Sequence, residues 1–202
     1  MTKSHERIIG DVGAYYTGKV LEHGTTARGV DWSTETSQRL RFEQLLRVCS
    51  SDASSLVDFG CGYGALIEQL PPGVTYQGFD ISAEMIARAR VLHPEITLTT
   101  DRASLVPADF AVASGIFNVR LEHGDEDWRA YILSAIDELA TLGTRGFAFN
   151  MLTSYSDADR MRPDLYYGDP CFFFHHCKTV HSKQVALLHD YGLYEFTILV
   201  RK

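Results

Sequence analysis

The sequence has no basic block. Its 19 Lys and Arg are outnumbered by 26 Asp and Glu, for a formal net charge of -7, and its cations are scattered. A protein that tracks a phosphate backbone gains much of its affinity by neutralising phosphates, so nucleic acid is not the expected partner. No stretch approaches the roughly 20 apolar residues needed to cross a bilayer. The start, Met1-Thr2-Lys3-Ser4-His5-Glu6-Arg7, is polar and opens no apolar run of signal length, so no membrane partner is expected and the expected location is the cytoplasm. Cysteine is sparse, and in a reducing compartment Cys49, Cys61, Cys171 and Cys177 are expected as free thiols. Repeats and low-complexity tracts are absent. What remains is ordinary globular material: 202 residues, 45% hydrophobic and 22% charged, enough for one domain with a sizeable core.

The order of elements points to an α/β fold. Residues 1–50 read as a helical cap, with a helix over Gly10–Glu22, a loop at Ala27–Trp32, and a second helix through Thr34–Val48 capped by Ser33. From residue 53 to 150, strands alternate with helices. The strands are Leu56–Phe59, Thr75–Phe79, Glu95–Thr100, Ala108–Ala113 and Arg145–Asn150. The helices are Ala65–Leu70, Ser82–Leu92 and Asp127–Leu142. Such alternation predicts a parallel sheet covered on both faces, a Rossmann-like doubly wound arrangement. Residues 151–169 read as an insertion on the substrate side. Residues 170–202 read as a helix from Pro170, capped by Asp169, and two apolar runs, Gln184–His189 and Tyr194–Arg201. Asp190-Tyr191-Gly192-Leu193 is too short for a crossover helix, so these runs form an antiparallel hairpin.

Chemistry concentrates at the first strand–helix turn, Asp58-Phe59-Gly60-Cys61-Gly62-Tyr63-Gly64. Glycines there let backbone approach a ligand at the carboxyl edge of the sheet, where nucleotide-like ligands bind. The turn alone is ambiguous, since Gly60, Gly62 and Ala65 also fit a dinucleotide-binding pattern. The carboxylates behind it narrow the choice. Asp58, two residues before Gly60, is placed to meet a ligand ammonium, directly or through water. Asp80 ends the second strand, where a carboxylate can accept both hydroxyls of a ribose. Asp101 ends the third strand, placed to accept an adenine amino group, and Ser114-Gly115 should floor the same cleft.

The run Val57–Gly64 resembles the first motif of class I S-adenosylmethionine-dependent methyltransferases. Gly78-Phe79-Asp80-Ile81-Ser82 with Met85 and Ala89 resembles their second motif, Asp109–Ser114 their fourth strand, and the closing hairpin their last two strands. The resemblance covers most of 53–150 and, more loosely, 170–202. It implies a seven-stranded sheet, mostly parallel with a C-terminal antiparallel hairpin. It further implies S-adenosylmethionine as cofactor and S-adenosylhomocysteine as product. The methionine part would lie near Asp58 and Gly60, the ribose on Asp80, the adenine near Ile81 and Asp101-Arg102-Ala103, and the N-terminal helices above the cofactor. The reading is methyl transfer to a small molecule by in-line displacement. A nicotinamide oxidoreductase and a non-catalytic cofactor-binding protein are the alternatives.

On the substrate side the residues say less. His123 is the candidate general base, with Tyr16 as another catalytic candidate. Tyr15, Asn118, Asn150, Tyr166 and Tyr167 are candidate substrate contacts, with Arg28 and Arg120 weaker ones. Each tyrosine pair could equally be core. Cys171, His175, His176 and Cys177 invite a metal reading, but only Cys171 and His175 share a helix face and no second ligand pair exists, so no metal is expected. Oligomeric state is not legible in these residues, nor is the atom that receives the methyl.

Overall fold

A computed structural model describes residues 3–202, so the first two residues of the expected cap lie outside the described residues. Seven strands form one sheet: β1 (Ser55–Phe59), β2 (Thr75–Phe79), β3 (Thr97–Thr99), β4 (Ala108–Ala113), β5 (Gly143–Leu152), β6 (Gln184–Leu188) and β7 (Glu195–Arg201). Their spatial order is β3-β2-β1-β4-β5-β7-β6. β1 to β5 pair in parallel, whereas β7 runs antiparallel between β5 and β6. The sheet is therefore mostly parallel with a closing antiparallel hairpin, as the sequence predicts. Central strands covered on both faces have no polar side to alternate with, and accordingly the last four residues of β1 are all buried.

Among the described residues five α-helices cover the sheet: α1 (Lys3–His23), α2 (Glu35–Leu46), α3 (Ala83–Leu92), α4 (Asp125–Leu142) and α5 (Pro170–Val180). α4 buries Trp128, Ile132, Ala135, Ile136, Leu139 and Leu142, spaced to lie along one helix face. That face joins Phe147, Phe149, Phe173 and the α1 residues Ile8 and Val12 in one core layer. The opposite face of the sheet is covered from α2 by Phe42 and Leu45 and from α3 by Ile86 and Ala89.

Three expectations change in detail. α1 begins at Lys3, not Gly10, because Ile8 and Val12 are buried against the core and their packing offsets the helix-weakening Gly10 and Gly13. Thr34, not Ser33, caps α2, its side chain accepting from the Ser37 N–H at 3.1 Å. The expected helix after the glycine turn is a short 3-10 turn, Ala65–Gln69.

Chain order reverses between β1 and β4, whose connections leave toward opposite edges of the sheet. The carboxyl ends of these two strands diverge there, and a crevice opens at that point by topology alone.

Candidate cofactor cleft

The crevice is a cleft of about 810 Å³, a volume that includes the open solvent at its mouth. Its floor is the glycine turn with Asp58 and Asp80, and Ser114, Gly115 and Ile116 beyond β4. Its roof comes from the N-terminal segment: Val12, Tyr16, Val30, Trp32, Gln38 and Phe42. A second hollow shares Phe59, Phe79, Ile81 and Tyr131 with the first and continues past Thr100 and Arg102.

Close approach explains two glycines. Gly60 has φ +89°, and a Cβ there would lie 2.2 Å from Ile116 Cγ2. Gly115 has φ +72°, and a Cβ would meet the Trp32 ring at 2.4 Å. Both positions combine a left-handed backbone with no room for a side chain, so only glycine fits. Trp32 is thereby seated directly on the cleft floor.

The turn spends its own donors. The N–H groups of Gly60 and Cys61 donate to the Phe79 carbonyl at 2.7 and 2.9 Å. That of Gly62 donates to Asp80 Oδ2 at 2.8 Å, and that of Gly64 to the Cys61 carbonyl at 3.0 Å. A pyrophosphate-binding turn instead presents free N–H groups at an α-helix N-terminus. Here those four donors are used and the following element is a 3-10 turn. Among the described residues no Lys, Arg or His lines this cleft, while two carboxylates do. The electrostatics suit a cationic ligand and oppose a pyrophosphate.

Both carboxylates are buried, Asp58 3% and Asp80 9% exposed. Asp58 Oδ2 accepts from the Tyr76 hydroxyl at 2.8 Å. Burial pushes its pKa up to about 7, opposed by that hydrogen bond and reinforced by the Asp80 charge. Asp80 Oδ1 accepts from the Ser82 N–H at 2.8 Å, so this carboxylate clamps the glycine turn to the start of α3. Burial raises its pKa to about 6, against the lowering effect of the two N–H bonds.

Of the predicted cofactor residues, Asp58, Gly60, Cys61, Gly62, Asp80, Ile81, Met85, Ser114 and Gly115 line the cleft. Gly64 lies just behind it, as the left-handed cap of the 3-10 turn. Asp101 and Ala103 do not line either hollow: Asp101 Oδ1 accepts from the Ala103 N–H at 3.0 Å and caps its own turn. Arg102 lines the second hollow and pairs with Glu138.

The substrate-side candidates are mostly elsewhere. Tyr16 lines the cleft, its hydroxyl pKa raised chiefly by burial. Tyr15 instead donates to Asp31 Oδ2 at 2.8 Å. His123 is held by α1, its Nε2 3.1 Å from Asp11 Oδ2 and its ring stacked on Trp128, so it does not reach the cleft as a base. Asn118 accepts from the Leu152 N–H at 3.0 Å. Asn150, fully buried, accepts from the Gly115 N–H at 2.7 Å and so fixes the cleft floor from behind. The Tyr166 N–H donates to the Asn118 carbonyl, and the Tyr167 hydroxyl accepts from the Arg162 N–H. Arg28 is exposed, and Arg120 donates to the carbonyls of His123 and Pro163. Polar residues near a strand end are as useful for satisfying buried backbone as for binding ligand, and these do the former. Trp32, Gln38, Phe42, Tyr63 and Tyr131, absent from the prediction, supply much of the wall. Among them only Trp32 carried a signal, as a large aromatic in a polar loop.

This architecture, with its cleft at the β1–β4 switch point, is the class I S-adenosylmethionine-dependent methyltransferase fold. The comparisons agree. Over 162 residues the chain is 52% identical to a Mycobacterium tuberculosis protein named putative methyltransferase Rv1506c, covering 77% of this chain and 97% of that protein. The chain belongs to this methyltransferase family. No protein-family model matches it. Among solved structures, the DhpI-SAM-HEP complex superposes with a TM-score of 0.66 at 16% identity, covering 100% of both chains. Magnesium protoporphyrin IX methyltransferase (ChlM) from Synechocystis PCC 6803, with bound SAH, gives 0.56 at 17% identity, covering 98% of this chain and 84% of that one.

Proposed function

We propose that this methyltransferase binds S-adenosylmethionine in the cleft and transfers its methyl group to a small-molecule acceptor by in-line displacement at the sulfonium. The observation that carries the reading is the pairing of two buried carboxylates with an otherwise uncharged, aromatic-walled cleft over a glycine floor. The cofactor brings an ammonium and a sulfonium. Asp58 is placed for the ammonium and Asp80 for the ribose hydroxyls, and the faces of Tyr16, Trp32 and Tyr131 suit a sulfonium. The second hollow, reached past Ile81, offers room for the purine.

The acceptor follows from what the cleft lacks. With Asp58 and Asp80 given to the cofactor and His123 tied to Asp11, among the described residues no histidine lines it, and burial drives the Tyr16 and Tyr131 hydroxyls away from ionisation, Tyr131 to about 12. The proposed acceptor therefore presents its own lone pair at neutral pH, as an unprotonated amine, a carboxylate or a thiolate does. Catalysis is then chiefly alignment of that atom opposite the departing sulfur, which can supply several kcal/mol. The roofed mouth and the net charge of -7 favour a small molecule over a polynucleotide. The test is incubation of the protein with labelled S-adenosylmethionine and, separately, a metabolite extract and total RNA, with mass identification of the product. Labelled small molecules support the proposal. Label in RNA alone, or cofactor binding without any product, overturns the acceptor or the enzymatic reading respectively.

The carboxylates also set a pH dependence. Free Asp58 and Asp80 titrate near 7 and 6, and a cationic ligand holds them ionised, so binding below neutrality must expel protons. Affinity for S-adenosylmethionine is expected to weaken as pH falls through 7, approaching about tenfold per unit for each proton released. Calorimetry at pH 6.5 in two buffers of different ionisation enthalpy reads that release; a flat pH profile with no buffer dependence contradicts it. The free protein follows the opposite sign. Its raised carboxylates hold protons that the unfolded chain has lost, so its stability falls as pH rises from about 4 through 7.

A further inference from the structure

We propose that Asp137 on α4, His176 on α5 and His181 just beyond it form a binding site for a divalent transition-metal ion of the zinc type, clipping the end of α5 to α4. One ligand atom from each residue lies within 4.8 Å of the others. None of the three lines the cofactor cleft. Of the four residues weighed and set aside in the sequence, only His176 takes part; Cys171, His175 and Cys177 do not.

Geometry and satisfaction both point to an ion. Asp137 Oδ1 and His181 Nε2 are 3.3 Å apart. Two ligands sharing a tetrahedral zinc at its usual bond lengths sit about 3.4 Å apart. The remaining separation of at most 4.8 Å closes with a shift on the order of 1 Å, which side-chain rotation supplies. The His181 side chain is only 8% exposed, and the Nε2 atoms of His176 and His181 are both buried without a hydrogen-bond partner. His181 Nε2 faces Asp137 Oδ1 without completing a hydrogen bond and His176 Nε2 has none, which is costly unless something binds both. The rings are also oriented before any ion arrives. His181 meets Phe147 edge-on at 5.4 Å and 90°, and His176 meets His181 at 5.5 Å and 72°.

A plain ion pair between protonated His181 and Asp137 fits less well. It leaves His176 Nε2 bare. Two nitrogens and one carboxylate select Zn²⁺ and its neighbours over Mg²⁺ or Ca²⁺, which take oxygen ligands. Asp137, 63% exposed, leaves the site open to solvent, with a fourth position for water.

The test titrates the chelator-treated protein with Zn²⁺ alone in a non-coordinating buffer, and with Mg²⁺ in parallel. One Zn²⁺ per chain is expected, with Mg²⁺ inert and visible absorption of four-coordinate intensity when Co²⁺ replaces zinc. At zinc a hundred times its Kd, the melting temperature should rise by about 5 °C or more. Asp137→Asn, on the surface and harmless to packing, and His176→Gln should each weaken uptake at least about tenfold, while S-adenosylhomocysteine binding stays unchanged. No Zn²⁺ uptake by about 1 mM overturns the proposal. So does uptake unaltered in Asp137→Asn and His176→Gln, which would put the ion elsewhere.

Discussion

Asp80→Ala is expected to lower affinity for S-adenosylhomocysteine by about a hundredfold, roughly 3 kcal/mol, measured by calorimetry at pH 8. The size of the effect comes from the double use of one side chain. Each carboxylate oxygen accepts an N–H at 2.8 Å, from Gly62 or from Ser82, and still faces the cleft with a lone pair to spare. Alanine removes the proposed contact to the ribose and also orphans the Gly62 N–H, so the glycine turn loses its tether to α3. Asp80→Asn separates the two roles. Its amide oxygen can keep one backbone donor, but its NH₂ opposes the other, so it should bind more tightly than Asp80→Ala and well below the wild type. Asp101→Asn is the control: that carboxylate caps its own turn outside both hollows, and the change should matter little. If Asp80→Ala bound as tightly as the wild type, the ribose would not lie where this cleft implies.

The parts that sequence reading reached are those written in local patterns. β1 is a short apolar run that ends at Asp58-Phe59 ahead of Gly60, too short for a buried helix, so it reads as a covered strand delivering its end to a turn. The link between β6 and β7 is too short to allow anything except an antiparallel pair. Asp80 and Gly62 were legible individually, though their hydrogen bond was not. The roof was illegible because its logic is tertiary. Trp32 belongs to the site because Gly115, over eighty residues later, leaves room for its ring. His123 misled for the mirror reason. A histidine in a polar loop looks available, and nothing nearby announces that Asp11 reaches it from α1. His176 and His181 show the same limit: the helix spacing of 171–177 hid a partner on α4 that only packing supplies.

The roof itself rests on one buried ion pair, and breaking it should be the costliest single change outside the cleft floor. Arg41 of α2 donates from Nε to Glu195 Oε2 at 2.7 Å, and its Nη2 lies 2.7 Å from Oε1. The side chains are 8% and 0% exposed, and the guanidinium lies 4.0 Å from the centre of the Trp32 ring. Glu195 opens β7 opposite Leu152 of β5, so the pair fastens α2 and the roofing tryptophan to the sheet. Arg41→Met leaves a carboxylate buried without its partner, for which about 3–5 kcal/mol is the expected cost. At this chain length that lowers the melting temperature by about 10 °C. The pair is nevertheless no large source of net stability. Arg41 Nη1 is buried without a hydrogen-bond partner, so desolvation offsets much of the attraction. Adding Glu195→Leu to Arg41→Met should therefore recover most of the loss, which no simple packing defect would do. Cofactor affinity is the discriminating readout. If the pair serves to hold Trp32 over Gly115, the rescued double variant regains its melting temperature but still binds S-adenosylhomocysteine more weakly than the wild type. Full recovery of both would reduce the pair to a fastening that any apolar contact could replace.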